Sequence, residues 1–114
     1  MRTPDIELLW WEGCPSTQRA LEAVRYALDD LGLAAVEVRM REIRTDDDAS
    51  DTGFVGSPTI LIDGVDVAPT PAGEPTGLSC RVYRRRDGRI SPIPDPDDLR
   101  EALSRAAERA EVTR

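Results

Sequence analysis

The chain has 114 residues and a formal net charge of −7 at pH 7, and every basic residue is an arginine. Its length fits one domain with one hydrophobic core, and its acidic balance argues against binding to nucleic acid or to an anionic membrane. The absence of histidine and lysine excludes Cys-His and Ser-His-Asp catalytic units, histidine-ligated metals and Schiff-base chemistry within this chain.

The first residues, from Met1 to Asp5, do not form an apolar signal region. No segment approaches the roughly 20 consecutive apolar residues that a membrane helix needs. We therefore expect a cytoplasmic protein, in which two cysteines are more often free or catalytic than joined in a structural disulfide.

The first half of the chain has the pattern of a strand, a helix and a second strand. Residues 6–10 are mostly apolar and predict a short buried strand. Pro15 suits the first position of a helix, and apolar residues at three- and four-residue steps extend that helix to about Leu31, before Gly32. Alternation of apolar and charged residues predicts a strand over 34–41, so a parallel right-handed crossover is favoured.

The middle of the chain holds a polar segment, a strand and a loop. Residues 44–53 are compatible with a short helix or a loop, and the acidic run within them favours a solvated loop over a calcium site. Residues 59–62 predict a third strand, which the Asp63-Gly64 turn closes. Residues 65–78 predict a brief edge strand followed by an irregular loop.

The last part of the chain predicts a strand, a hairpin turn and a helix. Alternation continues over residues 79–84, and Asp87-Gly88 indicates a turn toward Ile90. Asp95 is the predicted cap of a helix over residues 97–110.

Cys14 is the first candidate for chemistry, because it lies where the predicted first strand meets the predicted first helix. Amide N–H groups without helical partners, together with the positive end of the helix dipole, favour a thiolate there. An unpaired cysteine is also a common small core residue. The functional interpretation therefore requires that the Cys14 sulfur reach solvent and that a helix begin beside it.

Two segments resemble the thioredoxin-like superfamily. Residues 10–15, Trp-Trp-Glu-Gly-Cys-Pro, follow an apolar strand and look like the start of that superfamily's active site. Residues 55–64, Val-Gly-Ser-Pro-Thr-Ile-Leu-Ile-Asp-Gly, are similar to the segment in which a cis-proline precedes the third strand and lies beside the cysteine. The resemblance implies a single thioredoxin-like domain over residues 1–114, an α/β fold with a central mixed sheet of four or five strands flanked by helices.

The resemblance also implies roles for particular residues. A cis peptide bond before Pro58 would leave the Ser57 backbone facing outward beside Cys14, where an extended substrate adds as a strand. Independently of the resemblance, Trp10 and Trp11 adjoin the turn; packing in the core is favoured for at least one of them, and Trp11 is a candidate for contact with substrate. Thr17 stands where dithiol members carry a second cysteine, and its hydroxyl can donate a hydrogen bond to a thiolate but cannot form a disulfide.

Cys80 is the remaining thiol. A mixed disulfide at Cys14 is resolved either by an external thiol or by Cys80. Bridging requires Cα atoms within about 7 Å of each other, which sequence does not establish. Cys80 and Val82 share a face of the predicted strand. If that face packs against the core, Cys80 is a small core residue without a chemical role.

Three functions stay open at this point. The first is a thiol–disulfide oxidoreductase without a cofactor or metal, acting on a protein or low-molecular-weight thiol or disulfide, with Cys14 as nucleophile, Thr17 stabilising its thiolate, Pro58 shaping the substrate edge and Cys80 as the resolving thiol. The second is handling of mercury or organomercurials by both cysteines, because residues 77–84 and the Gly-Cys-Pro start look like small bacterial thioredoxin-like proteins often labelled alkylmercury lyase. The third is a non-catalytic binding protein on the same fold.

Overall fold

The computed structural model describes residues 3–71 and 73–112, so part of the predicted non-apolar N-terminus, Met1 and Arg2, lies outside the described residues. The elements are β1 (Ile6–Trp10), α1 (Thr17–Asp30), β2 (Val38–Glu42), α2 (Asp46–Thr52), β3 (Thr59–Ile62), β4 (Val65–Asp66), β5 (Tyr83–Arg84), β6 (Ile90–Ser91) and α3 (Pro96–Val112). None of the helices in this part of the chain is both long and apolar enough to cross a lipid bilayer.

The central sheet has four strands in the order β2-β1-β3-β4. β1 is parallel to β2, with Ile6 opposite Val38, and antiparallel to β3, with Leu8 opposite Ile60. The connection from β1 to β2 runs through α1, as the alternating patterns predicted. The predicted α/β architecture with a mixed sheet is therefore confirmed.

Helices α1 and α3 contact each other on one face of this sheet. The main core lies between them and the strands, and its fully buried members include Leu8, Val24, Ile60, Leu99 and Leu103. A smaller cluster forms on the opposite face from Leu9, Ile43, Ala49 and Phe54, and α2 contributes Ala49 to it.

The acidic run at residues 46–48 forms the first turn of α2. The Thr45 hydroxyl caps this helix by accepting a hydrogen bond from the Asp48 N–H at 3.0 Å. Carboxylates in a first turn interact favourably with the helix dipole, and of the two predicted alternatives for residues 44–53, a short helix or a loop, the helix is present. The described residues contain no group of three or more Cys, Asp or Glu side chains arranged to hold a metal ion.

The predicted strand over residues 79–84 is only partly formed. Tyr83–Arg84 pairs with Ile90–Ser91 in a separate hairpin, and Cys80 makes an isolated parallel bridge with Ser57. This segment does not join the central sheet, because its partner is the loop residue before β3 and not a strand. The predicted cap of α3 is confirmed, since Asp95 Oδ1 accepts a hydrogen bond from the Asp97 N–H at 2.8 Å.

Candidate dithiol site

A tight turn at the end of β1 positions Cys14. The Cys14 N–H donates to the Trp11 carbonyl at 3.0 Å, and the Trp11 indole lies directly over Gly13. A Cβ atom at Gly13 would come within 2.4 Å of the indole ring, so the ring would have to move if this residue carried a side chain. The backbone N–H of Trp11 donates to Ser57 Oγ at 3.1 Å, and this hydrogen bond connects the turn to the loop before β3.

The helix after Cys14 begins later than predicted. α1 starts at Thr17 with Ser16 as its N-cap, so Pro15 precedes the helix and Cys14 lies before the cap. The field of a helix dipole is concentrated in the first turn, which weakens the argument for a thiolate at Cys14. The Thr17 hydroxyl is buried and has no hydrogen-bond partner among the described residues, so it does not donate to the Cys14 sulfur.

The Cys14 sulfur is enclosed. The residue is only 7% exposed, and its Sγ donates to the Ser57 carbonyl oxygen at 3.3 Å. The expectation that this sulfur reaches solvent at the first turn of a helix is therefore wrong. Both conditions that the functional interpretation of Cys14 required are therefore unmet, so Cys14 is not the exposed nucleophile predicted from the sequence, and a thiol function depends on its pairing with Cys80.

The Ser57–Pro58 peptide bond is cis, as the resemblance implied. Ser57 is fully buried, however, and the chain's own residues use both of its backbone groups. The Ser57 N–H donates to the Ser79 carbonyl and the Arg81 N–H donates to the Ser57 carbonyl, each at 2.8 Å. The expectation that the Ser57 backbone faces outward is wrong, because residues 79–81 (the 79–81 segment) already occupy that edge.

Cys80 lies in the middle of the 79–81 segment, directly opposite Ser57. Both cysteines are free thiols, Cys14 buried and Cys80 exposed. Desolvation raises the pKa of the Cys80 thiol, and a hydrogen bond to the Cys14 sulfur together with its charge raises this pKa further. The fold therefore brings the two thiols together. Cys80 is not a core residue, because its face of the segment is exposed to solvent.

Arg81 anchors the 79–81 segment through its buried side chain. Its guanidinium is almost fully buried and donates to Thr59 Oγ1 at 3.1 Å and Asp66 Oδ2 at 2.8 Å. A further N–H donates to the Ala68 carbonyl, and the guanidinium lies 4.5 Å from the centre of the Tyr83 ring. Since a buried guanidinium is stable only when paired and hydrogen-bonded, this network holds the segment in one position.

Tyr83 holds the next position of the same chain segment. It is 4% exposed, and its hydroxyl donates to the Pro58 carbonyl. Burial raises the pKa of this phenol, and the Asp66 carboxylate and the Cys14 sulfur raise it further, against a lowering by Arg81. Tyr83 therefore ties the loop of the cis-proline to the segment that carries Cys80.

Sequence reasoning missed Arg81, Tyr83 and Asp66. The available signal was the alternation itself, since placing Cys80 and Val82 on one face places Arg81 and Tyr83 on the other. That second face is buried, and an arginine on a buried face implies an acidic partner. Asp66, on the short edge strand β4, is that partner.

We expect the native protein to lose stability at alkaline pH because of Tyr83, and we expect the Tyr83→Phe variant not to show this loss. The unfolded chain releases the phenolic proton near the ordinary tyrosine pKa of about 10, whereas the raised pKa of Tyr83 keeps it bound in the folded state. The free energy of unfolding of the native sequence should therefore fall above about pH 10, by up to about 1.4 kcal/mol per pH unit. Guanidinium denaturation between pH 9 and pH 11, at about half-unit steps, measures this slope.

The matched control is Tyr26→Phe, because Tyr26 is 67% exposed. That variant should keep the full alkaline slope. If Tyr83→Phe and the native sequence lose stability in parallel as the pH rises, the buried phenol is not the group responsible.

No family model matches the chain, and no curated protein or solved structure is significantly similar to it. Its function is therefore argued from the geometry of the two thiols and of the residues that hold them.

Proposed function

We propose that this chain is a thiol–disulfide oxidoreductase with a thioredoxin-like fold, in which Cys14 and Cys80 cycle between a dithiol and a disulfide. The fold assignment is supported by the mixed sheet, with β1 parallel to β2 and antiparallel to β3, and by a cysteine just after β1. The redox assignment is supported above all by one observation. Ser57 contacts both cysteines, through its carbonyl to the Cys14 thiol and through its backbone bridge to Cys80.

The proposed reaction uses only the protein's own thiols and an external disulfide. Two thiols that lie side by side, one of them exposed, can pass from a mixed disulfide to an internal disulfide by exchange. Neighbouring strands lie about 4.8 Å apart, and a disulfide joins Cα atoms at about 4.4–6.8 Å. Cys80 lies opposite Ser57, whose carbonyl accepts the hydrogen bond from the Cys14 thiol, and the proposal requires the Cα atoms of Cys14 and Cys80 to come within that range.

The roles of the other residues differ from those implied by the resemblance. Pro58 and Ser57 are buried at the site, and the Ser57 backbone is hydrogen-bonded to the 79–81 segment. Trp11 closes the turn that carries Cys14 and hydrogen-bonds to Ser57. A contact of Trp11, Ser57 or Pro58 with substrate stays a prediction.

The test is the formation of an internal disulfide in glutathione buffers of increasing oxidised fraction. We expect the native protein to lose two hydrogen atoms by mass, with no glutathione adduct, as Cys14 and Cys80 join. Cys14→Ser and Cys80→Ser are matched controls, because each leaves one thiol that can form only a glutathione adduct. A native protein that accumulates adducts, or that stays reduced where ordinary dithiols oxidise, would contradict the proposal and leave a non-catalytic binding protein.

The same pair of free, adjacent thiols also favours a second function, the binding of mercury or an organomercurial. Thiolates are the ligands that soft metals prefer, and two of them suffice for linear coordination. Titration with mercuric chloride should then show one tight equivalent per chain, which is lost in either serine variant. Two weak and independent equivalents would exclude this function without affecting the redox proposal.

A further inference from the structure

The two thiols of the site differ in their access to solvent. Cys80 is exposed, whereas Cys14 is 7% exposed and its thiol is already used as a donor to Ser57. Thiol–disulfide exchange requires an in-line approach of three sulfur atoms, so the reacting sulfur must be reachable by the incoming molecule. Of the two, only Cys80 meets that condition in the folded state.

The segment that carries Cys80 is held firmly against Ser57, the residue that binds the Cys14 thiol. The 79–81 segment pairs with Ser57 through two hydrogen bonds of 2.8 Å, and Arg81 fixes it from the buried side with donations to Thr59, Asp66 and Ala68. On the other side, the Trp11 ring packs over the turn that precedes Cys14. An external disulfide therefore reaches the Cys14 sulfur only after a local opening, and such openings are infrequent in hydrogen-bonded, buried regions.

We propose that Cys80 is the thiol that exchanges with the external substrate and that Cys14 is the resolving thiol. This inference rests on the proposed function and reverses the order expected from the sequence. The geometry that carries it is the placement of an exposed cysteine over a buried one, on a segment that closes the edge at Ser57.

The proposed exchange has two steps. In the first step the Cys80 thiol loses its proton to solvent, and the resulting thiolate attacks one sulfur of a disulfide RSSR. The S–S bond of RSSR breaks, and one RS⁻ leaves and takes up a proton. The Cys14 sulfur then loses its proton and attacks the Cys80 sulfur of the mixed disulfide, which breaks the bond to the second RS⁻. The protein dithiol is oxidised to the Cys14–Cys80 disulfide, and RSSR is reduced to two RSH.

Burial suits Cys14 for the second step. Its sulfur needs no contact with solvent, because its target is the neighbouring Cys80 sulfur, and an attack within one chain has a high effective concentration. The raised pKa of Cys80 has a separate consequence for the first step. The rate of that step should still be rising at pH values above the ordinary thiol pKa of about 8.5.

The test follows which cysteine of the native reduced protein reacts first with oxidised glutathione. Samples are quenched in acid over time, digested with trypsin and mapped, since cleavage after arginine places Cys14 and Cys80 on separate peptides. We expect the first glutathione adducts on Cys80, formed at least about tenfold faster than any on Cys14, because attack at a buried sulfur waits for local opening. Iodoacetamide should show the same order.

Single-cysteine variants give the matched comparison. Cys14→Ser should react rapidly at Cys80 and stop at a stable glutathione adduct, whereas Cys80→Ser should react slowly at Cys14. In concentrated guanidinium the two variants should react at similar rates, which would attribute the difference to the fold.

The outcomes separate this inference from the proposed function. If the native protein forms its internal disulfide but the early adducts map to Cys14, the order proposed here is wrong and the oxidoreductase stands. If no internal disulfide forms under any redox condition, the proposed function itself fails.

Discussion

Replacing Arg81 by alanine should lower the free energy of unfolding by about 3–5 kcal/mol, the range for removing one partner of a buried ion pair. The Arg81 side chain is 6% exposed and that of Asp66 is 20% exposed, so we expect a value toward the lower end. The loss has three sources: an Asp66 carboxylate without its cation, an Ala68 carbonyl without a donor, and a space beneath the Tyr83 ring. Urea denaturation followed by circular dichroism measures it.

The same substitution should also act on the thiols. The Arg81 backbone N–H can still reach Ser57, but the segment that carries Cys80 would lose its buried anchor. We therefore expect faster alkylation of Cys14 in the folded protein and slower closure of the internal disulfide.

Arg89→Ala is the control for the Arg81 prediction. Arg89 forms an ion pair with Asp87 in which its side chain is 76% exposed. Solvent screens an exposed pair, which therefore contributes little to stability, so this variant should unfold close to the native sequence. If the two arginine variants are equally stable, Arg81 does not anchor the segment.

Replacing Gly56 by alanine should have the second large effect. Gly56 has a φ of +146°, which L-residues rarely adopt, and an added Cβ would lie 2.9 Å from Arg81 Cβ and 3.2 Å from its backbone N and Cα. Backbone strain of about 1–3 kcal/mol and overpacking of similar size should both destabilise the protein. Because the nearest atoms belong to Arg81, relief of the clash would push the 79–81 segment away from Ser57.

Gly77→Ala is the matched control for Gly56→Ala. Nothing lies within 4 Å of a Cβ atom at Gly77, and its N–H can keep its hydrogen bond to the Phe54 carbonyl at 3.1 Å. We expect a change in stability within about 0.5 kcal/mol, and Cys14 should be protected from iodoacetamide as in the native protein. Equal protection of Cys14 in both glycine variants would contradict a role of the Gly56 contact in closing the site.

The secondary structure was largely predictable because its signals are local. The strand over 59–62, the Asp63-Gly64 turn and the cap at Asp95 depend on residues only a few positions apart, and all are present. The start of α1 was missed because Pro15 is compatible with either a helix or the turn before one. The segment after residue 44 was ambiguous for a similar reason, since an acidic run suits both a loop and the first turn of a helix.

The candidate site was only half predictable. The local pattern identified Cys14, the resemblance implied the loop at Ser57–Pro58, and the fold brings both cysteines into contact with Ser57. The local pattern did not indicate that the Ser57 edge is closed or that Cys14 is the buried member of the pair. Those properties depend on where a segment more than twenty residues further along the chain returns to the sheet.

The sequence by itself therefore determined the α/β pattern of this protein, the parallel crossover between its first two strands and the presence of a cysteine just after β1. The tertiary structure alone decided that Cys80 lies opposite Ser57, whose carbonyl binds the Cys14 thiol, that Arg81 points inward to Asp66 and that the Ser57 backbone is used within the chain. The physical reason is the chain between β4 and residue 79, whose sequence has no periodic pattern. Its path is set by the burial of Arg81 and Tyr83, and these contacts exist only when the distant partners Asp66 and Pro58 are already in place.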